Sequence, residues 1–226
     1  MIHNRSQRLL AVFGCVLLFA ACGVAQQSAT ASSSGKALEP GTNQLGFWGG
    51  YSPNNPNLIG ITTDRQYFEF DVQYARVLAA GDSWAFKYMV ELVPAALINQ
   101  PRQQQVVQGN VLVLADVPGT KRWIYGGGTS PIGLQMNFRR GHTLQPYLNG
   151  TAGMLYFTDQ VPVSGSSQFN FTFGWGAGVE IWAHENQSLS LGYKFHHISN
   201  ANSASRNPGA DSNIFYAGYA WSWKKH

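Results

Sequence analysis

Three residues in the C-terminal part of the chain have the types that hydrolytic chemistry requires: His197, Ser199 and Asp211. A serine hydroxyl is a weak nucleophile until a neighbouring imidazole takes its proton, and a carboxylate on the other ring nitrogen fixes the tautomer that allows this. Residues i and i+2 of a β-strand share a face, so His197 and Ser199 are side-chain neighbours wherever this segment is extended. Asp211 can join them only if the next strand returns alongside. Such a set transfers an acyl group to serine and then to water, chemistry that calls for no metal and no organic cofactor.

The surrounding sequence supplies the strands. Leu189, Leu191, Tyr193, Phe195, His197 and Ser199 fall on one parity, and Ser190, Gly192, Lys194, His196 and Ile198 on the other. In the following run Asp211, Asn213, Phe215, Ala217, Tyr219, Trp221 and Trp223 share the parity of the apolar face. This period of two is clearest over Phe169 to Trp182, where Phe169, Phe171, Phe173 and Trp175 alternate with Asn170, Thr172, Gly174 and Gly176. It recurs over Phe68–Tyr74, Trp84–Leu92 and Ile132–Phe138, and more weakly over 45–51, 144–157, 188–198 and 213–223, which makes eight strands.

Alternation of this kind fits either a soluble sandwich or a membrane barrel. The membrane is favoured by strands of about ten residues with aromatic ends, by the charges Glu69, Asp71, Lys87, Glu91, Glu180 and Lys194 on the polar parity, and by an export leader. The expected fold is all-β, an eight-stranded antiparallel transmembrane β-barrel of the bacterial outer membrane, over residues 45–226. Tyr216 to Trp223 resembles the C-terminal signal read by the barrel assembly machinery, from which it departs by carrying Lys224, Lys225 and His226 after the last aromatic.

Residues 1–25 have the parts of a signal peptide: Arg5 and Arg8, an apolar stretch from Leu9 to Ala21, and small residues ending at Ala25. Lipoprotein processing at Cys22 is the alternative, to which Phe19 is a poor fit. Residues 26–44 are small and polar and read as a flexible segment. Cys15 and Cys22 both lie in the leader, so the remainder has no thiol for disulfides, metal ligation or nucleophilic chemistry. Without Arg5 and Arg8 the 15 basic residues become 13 against 11 acidic, scattered without a basic stripe, and nucleic acid is not an implied partner. Beyond the leader no run approaches the ~20 apolar residues of a transmembrane helix.

The connections after the second, fourth and sixth strands are short and the others longer, with Pro94–Trp123 the longest. Short turns of such barrels are periplasmic, so odd-numbered strands run outward and His197 and Ser199 lie at the external end, on the lipid side. His142 and His184 fall in the periplasmic turns, His196 has the interior parity, and Gly126-Gly127-Gly128 suits curvature or close packing. Spacing alone also suits strand ends emerging among lipid headgroups, where His, Ser and Asp are all well solvated.

Phe195-His196-His197-Ile198-Ser199-Asn200-Ala201, followed by Asn207-Pro208-Gly209-Ala210-Asp211, resembles the His-x-Ser-Asn signature and following acid of the PagL-type lipid A 3-O-deacylases. The resemblance is strongest over 188–223. It implies an outer-membrane esterase that removes the 3-linked hydroxyacyl chain of lipid A or lipopolysaccharide, with Ser199 as nucleophile, His197 as base, Asp211 as orienting acid and Asn200 in the oxyanion region. The acid departs from the family pattern, being aspartate where glutamate is usual. Two other classes fit the same strands: a non-catalytic structural or adhesive barrel, and a pore, although eight strands leave room inside for little beyond side chains.

Overall fold

The computed structural model describes residues 38–224, so the leader and most of the segment read as flexible lie outside the described residues. Eight strands follow one another: β1 (Asn43–Ser52), β2 (Gln66–Ala80), β3 (Trp84–Gln108), β4 (Val111–Phe138), β5 (Leu144–Phe157), β6 (Phe169–His184), β7 (Gln187–Ser199) and β8 (Ala210–Trp223). Each pairs with the next antiparallel, and β1 pairs with β8, closing the barrel. Closure pairs every strand on both sides in the barrel wall, which is the condition for a sheet in hydrocarbon.

The two faces divide as the alternation requires. Phe47, Val72, Leu92, Leu134, Leu148, Phe171, Phe173, Trp175, Leu191, Phe215 and Trp221 are exposed around the outside. Glu69, Asp71, Lys87, Glu91, Glu180, Lys194 and His196 are buried inside. Most of the charges there lie in two paired clusters, around Lys87 and around Lys194. Lys87 Nζ lies 2.5 Å from Glu180 Oε1 and donates to Gln44 Oε1 at 2.9 Å, while Gln135 and Asn137 donate to Glu180 at 3.0 Å. Lys194 sits 3.6 Å from both Glu69 and Glu91, over the Trp48 ring. Removing one partner strands the other charge: Lys87→Ala is expected to destabilise the barrel by about 3–5 kcal/mol, whereas Lys87→Met with Glu180→Gln leaves no charge uncompensated and recovers most of it. Urea unfolding of the barrel in lipid vesicles measures both.

Short turns at 81–83, 139–143 and 185–186 gather at one end. There Leu38 is buried with Val77, Ala85 and Trp182, and its carbonyl accepts from Arg140 Nε at 3.2 Å. Packed chain therefore begins within the segment read as flexible, and β1 starts at Asn43, two residues ahead of the expected 45.

At the other end the connections are 53–65, 158–168 and 200–209, as expected, but the region Pro94–Trp123 is no loop. It is the extension of β3 and β4 into a hairpin closed at 109–110, where Gly109 takes φ 66°. Two-residue hairpin turns with a left-handed first position match strand twist. Prolines disguised these strands: the β3–β4 register shifts between Val93 and Ala96, around Pro94, and between Pro101 and Gln103, opposite the stretch holding Pro118. A proline lacks the N–H of a ladder bond, and a bulge accommodates it. Gly126 lies in β4 where an added Cβ would meet the Phe157 ring at 2.5 Å, the close packing the glycine run suggests.

Candidate active site

β7 carries His197 and Ser199 on its outward face near the loop end, where they pair with Phe173 and Phe171 of β6. On the other side His197 pairs directly with Asp211 of β8. Directly opposed residues of an antiparallel pair turn their side chains to the same face at close range. The shorter aspartate therefore reaches: His197 Nδ1 and Asp211 Oδ1 are 2.6 Å apart. A carboxylate only accepts, so the proton of this bond sits on Nδ1, and Nε2 is the ring nitrogen left to act as base. The imidazole is 7% exposed and packs on the Phe173 ring at 5.2 Å.

Asp211 is 0% exposed although its parity is outward. The cover is the β1–β2 loop, which sequence reasoning left without a role. The backbone N–H groups of Leu58 and Ile59 donate to Asp211 Oδ2 at 2.8 Å, and that of Gly60 reaches both oxygens at 3.0 Å. Two more bonds fasten the loop to the strand: Ile61 N–H to the Pro208 carbonyl at 2.8 Å and Thr62 Oγ1 to the Gly209 carbonyl at 2.7 Å. The approach is close enough that a Cβ on Gly60 would meet Gly209 C at 2.8 Å and Ala210 N at 2.9 Å. Both carboxylate oxygens are thus held by fixed donors of the kind that favour charge on the acid. The available signal was Leu58-Ile59-Gly60-Ile61, an aliphatic run with a glycine inside a Pro- and Asn-rich connection.

Ser199 ends β7 half-buried. Its Oγ accepts from Ala201 N–H at 3.3 Å, and no hydrogen bond joins it to His197 among the described residues. The chain then turns through two left-handed residues, Ala201 at φ 51° and Asn202 at φ 61°, with the Ala201 amide at the Ser199 side chain. Asn200 is the next residue of the chain. It is fully buried, its N–H donates to Asn207 Oδ1 at 3.0 Å and its Nδ2 to the Arg206 carbonyl at 2.8 Å. Those bonds make it a brace across the β7–β8 loop. The backbone amide that lies at Ser199 Oγ is that of Ala201.

The other described histidines stand apart from this pair. His196 is buried inside against Tyr67, with ring centroids 5.1 Å apart, and His142 and His184 are at the short-turn end. Among the described residues no group of three or more His, Cys, Asp or Glu is arranged to hold a metal ion.

Comparison with known proteins bears on this geometry. A search of curated proteins returns no significant match. Among solved structures, the crystal structure of the outer membrane enzyme PagL aligns over 77% of this chain and 97% of its own, with 13% identity and a TM-score of 0.51. Neisserial surface protein A aligns over 80% of this chain and 96% of its own (14% identity, TM-score 0.46), and Ail, the attachment invasion locus protein of Yersinia pestis, over 81% and 99% (12% identity, TM-score 0.44). At 13% identity the likeness to PagL speaks to the fold alone. The sequence itself matches the model of the family described as lipid A 3-O-deacylase (PagL) over residues 66–220, a span that takes in most of the barrel and both strands of the site. The chain belongs to the lipid A 3-O-deacylase (PagL) family.

Proposed function

We propose that this protein hydrolyses the 3-linked hydroxyacyl ester of lipid A at the outer face of the barrel, in the external leaflet of the bacterial outer membrane. Lipid A reaches the site by lateral diffusion. The ester carbonyl meets Ser199, whose Oγ turns from Ala201 towards Nε2 of His197; contacts of this kind are often loose until substrate is bound. His197 takes the hydroxyl proton as Oγ attacks, and Asp211 stabilises the imidazolium. The Ala201 amide faces the developing oxyanion. His197 returns the proton to the sugar oxygen as it leaves, and water, activated by the same imidazole, releases the hydroxy fatty acid from Ser199. No step requires a metal or an organic cofactor.

The observation that carries this reading is the 2.6 Å pair between His197 and Asp211 on the lipid side of a barrel, on the strand that ends in Ser199. A buried acid held by three amides against one histidine is a costly arrangement for a merely solvated strand end. Export through residues 1–25 and insertion by the barrel assembly machinery through the last strand fit the same location. Mass spectrometry of lipid A from cells expressing the protein tests the proposal. The expected change is loss of one ester-linked hydroxyacyl chain at the 3 position, with amide-linked chains intact. An unchanged spectrum from cells holding the folded protein in the outer membrane would return the chain to the structural or adhesive class.

A further inference from the structure

The β1–β2 loop combines two features within four consecutive residues. The backbone of Leu58, Ile59 and Gly60 holds Asp211 with amides at 2.8–3.0 Å. The side chains of Leu58, Ile59 and Ile61 point away from the protein, 66%, 50% and 75% exposed. Asp211 has the outward parity of β8, shared with exposed Phe215, so a loop whose amides meet its carboxylate lies outboard of that strand.

The neighbours of the loop follow from register. Asp211 stands opposite His197, which stands opposite Phe173, with Ser199 and Phe171 one step further out. Phe171 and Phe173 belong to the exposed apolar belt of the barrel. The three aliphatic side chains therefore lie beside that belt and extend it over the site. Polar Asn54, Asn55 and Asn57 occupy the part of the loop that precedes them. Three large aliphatic side chains held out beside an apolar belt are matched by hydrocarbon and by no aqueous partner.

We infer that residues 53–65 form a lipid-anchored positioning loop: Leu58, Ile59 and Ile61 insert among the acyl chains of the surrounding leaflet, and that anchorage keeps the amides of residues 58–60 on Asp211. The occupant of the surface is the hydrocarbon of the membrane. Asp211 keeps its orientation towards Nδ1 of His197 only while the loop is seated, so the site is assembled in the bilayer and loosened away from it. Leu58, Ile59 and Ile61 are positioning residues, acting through Asp211. The effect on rate rests on the function proposed above; insertion of the loop does not.

Two experiments on the full chain separate these parts. In a Cys15→Ala/Cys22→Ala background, Ile61→Cys carries an environment-sensitive fluorophore, and the barrel is placed in phosphatidylcholine vesicles. Quenching is expected to be stronger from nitroxides on the acyl chains than from an aqueous quencher; the reverse order overturns the inference. In the second, Leu58→Ser/Ile59→Ser/Ile61→Ser is expected to lower kcat on bilayer lipid A about tenfold or more through misplacement of the acid, with a smaller change in KM and the thermal unfolding of the barrel unchanged. The aliphatic replacement Leu58→Ile/Ile59→Leu/Ile61→Leu retains the rate. A serine variant at wild-type kcat overturns the positioning role, as does an aliphatic variant as slow as the serine one. Should the triple serine variant not fold, Ile61→Ser alone, at the most exposed of the three, decides in the same way. If the wild-type protein releases no acyl chain, the proposed function fails, and the quenching result still decides insertion.

Discussion

Ser199→Ala is expected to lower lipid A deacylation by about 10⁴-fold or more, with the barrel folded as before. Such a loss corresponds to about 5.5 kcal/mol of transition-state stabilisation. Among the described residues, Ser199 is the only serine on the outward face beside His197; Tyr193 OH on that face is bonded to Asn213, and Ser203 lies in the turn with its N–H bonded to the Asn200 carbonyl. Ser199 Oγ accepts one hydrogen bond, from Ala201 N–H. Losing it removes a nucleophile and little packing, so unfolding temperature and substrate binding are expected to hold while kcat collapses. His197→Ala is expected to fall by a similar factor, and the double variant by little more than either alone, because the two residues act as one unit. Steady-state kinetics on lipid A in bilayers, with a thermal melt of each variant, checks all three.

Asp211→Asn is expected to cost about 10³–10⁴-fold in kcat. The loop amides at 58–60 need an acceptor, so the asparagine oxygen takes their place and its NH₂ turns towards His197 Nδ1. The imidazole must then accept at Nδ1 and carry its proton on Nε2, the tautomer that cannot act as base towards Ser199. Asp211→Glu, the residue usual in the family, tests the fit of the cradle. His197 and the three loop amides all lie within bonding distance of the shorter carboxylate, so the added methylene must displace one or the other. The expected loss is about tenfold to a hundredfold, the cost of misplacing a catalytic group by roughly an ångström. Equal kcat for the aspartate and glutamate forms would show that the loop yields easily.

Much of this was legible in the chain. Phe169, Phe171, Phe173 and Trp175 against Asn170, Thr172, Gly174 and Gly176 defines a two-faced strand, and the structure places the first set outside. The separation of His197 from Ser199 put both on the outer face, and the parity of Asp211 brought it beside His197. What could not be read depended on contacts far apart in sequence. Prolines 94, 101 and 118 hid the extended β3–β4 hairpin, because a bulge that tolerates proline is a property of the partner strand as much as of its own. Asp211 is buried by residues about 150 positions earlier, as the bond from Gly60 records, and no local pattern announces that. Phe195 has the lipid-facing parity yet is buried against the Trp175 ring, 5.8 Å between centroids, since parity sets direction but neighbours set exposure. Asn200 matched a family motif, and only its bonds to Asn207 and Arg206 show it bracing the loop.

The central claim is that Ser199 is acylated by lipid A. Acid quenching of the purified barrel soon after mixing with lipid A in bilayers, followed by peptide mass spectrometry, tests this most directly. The predicted result is a hydroxyacyl adduct on the peptide containing Ser199, formed with wild-type protein and absent after His197→Ala. Deacylated lipid A accumulating while the acyl group is found on another residue would contradict it.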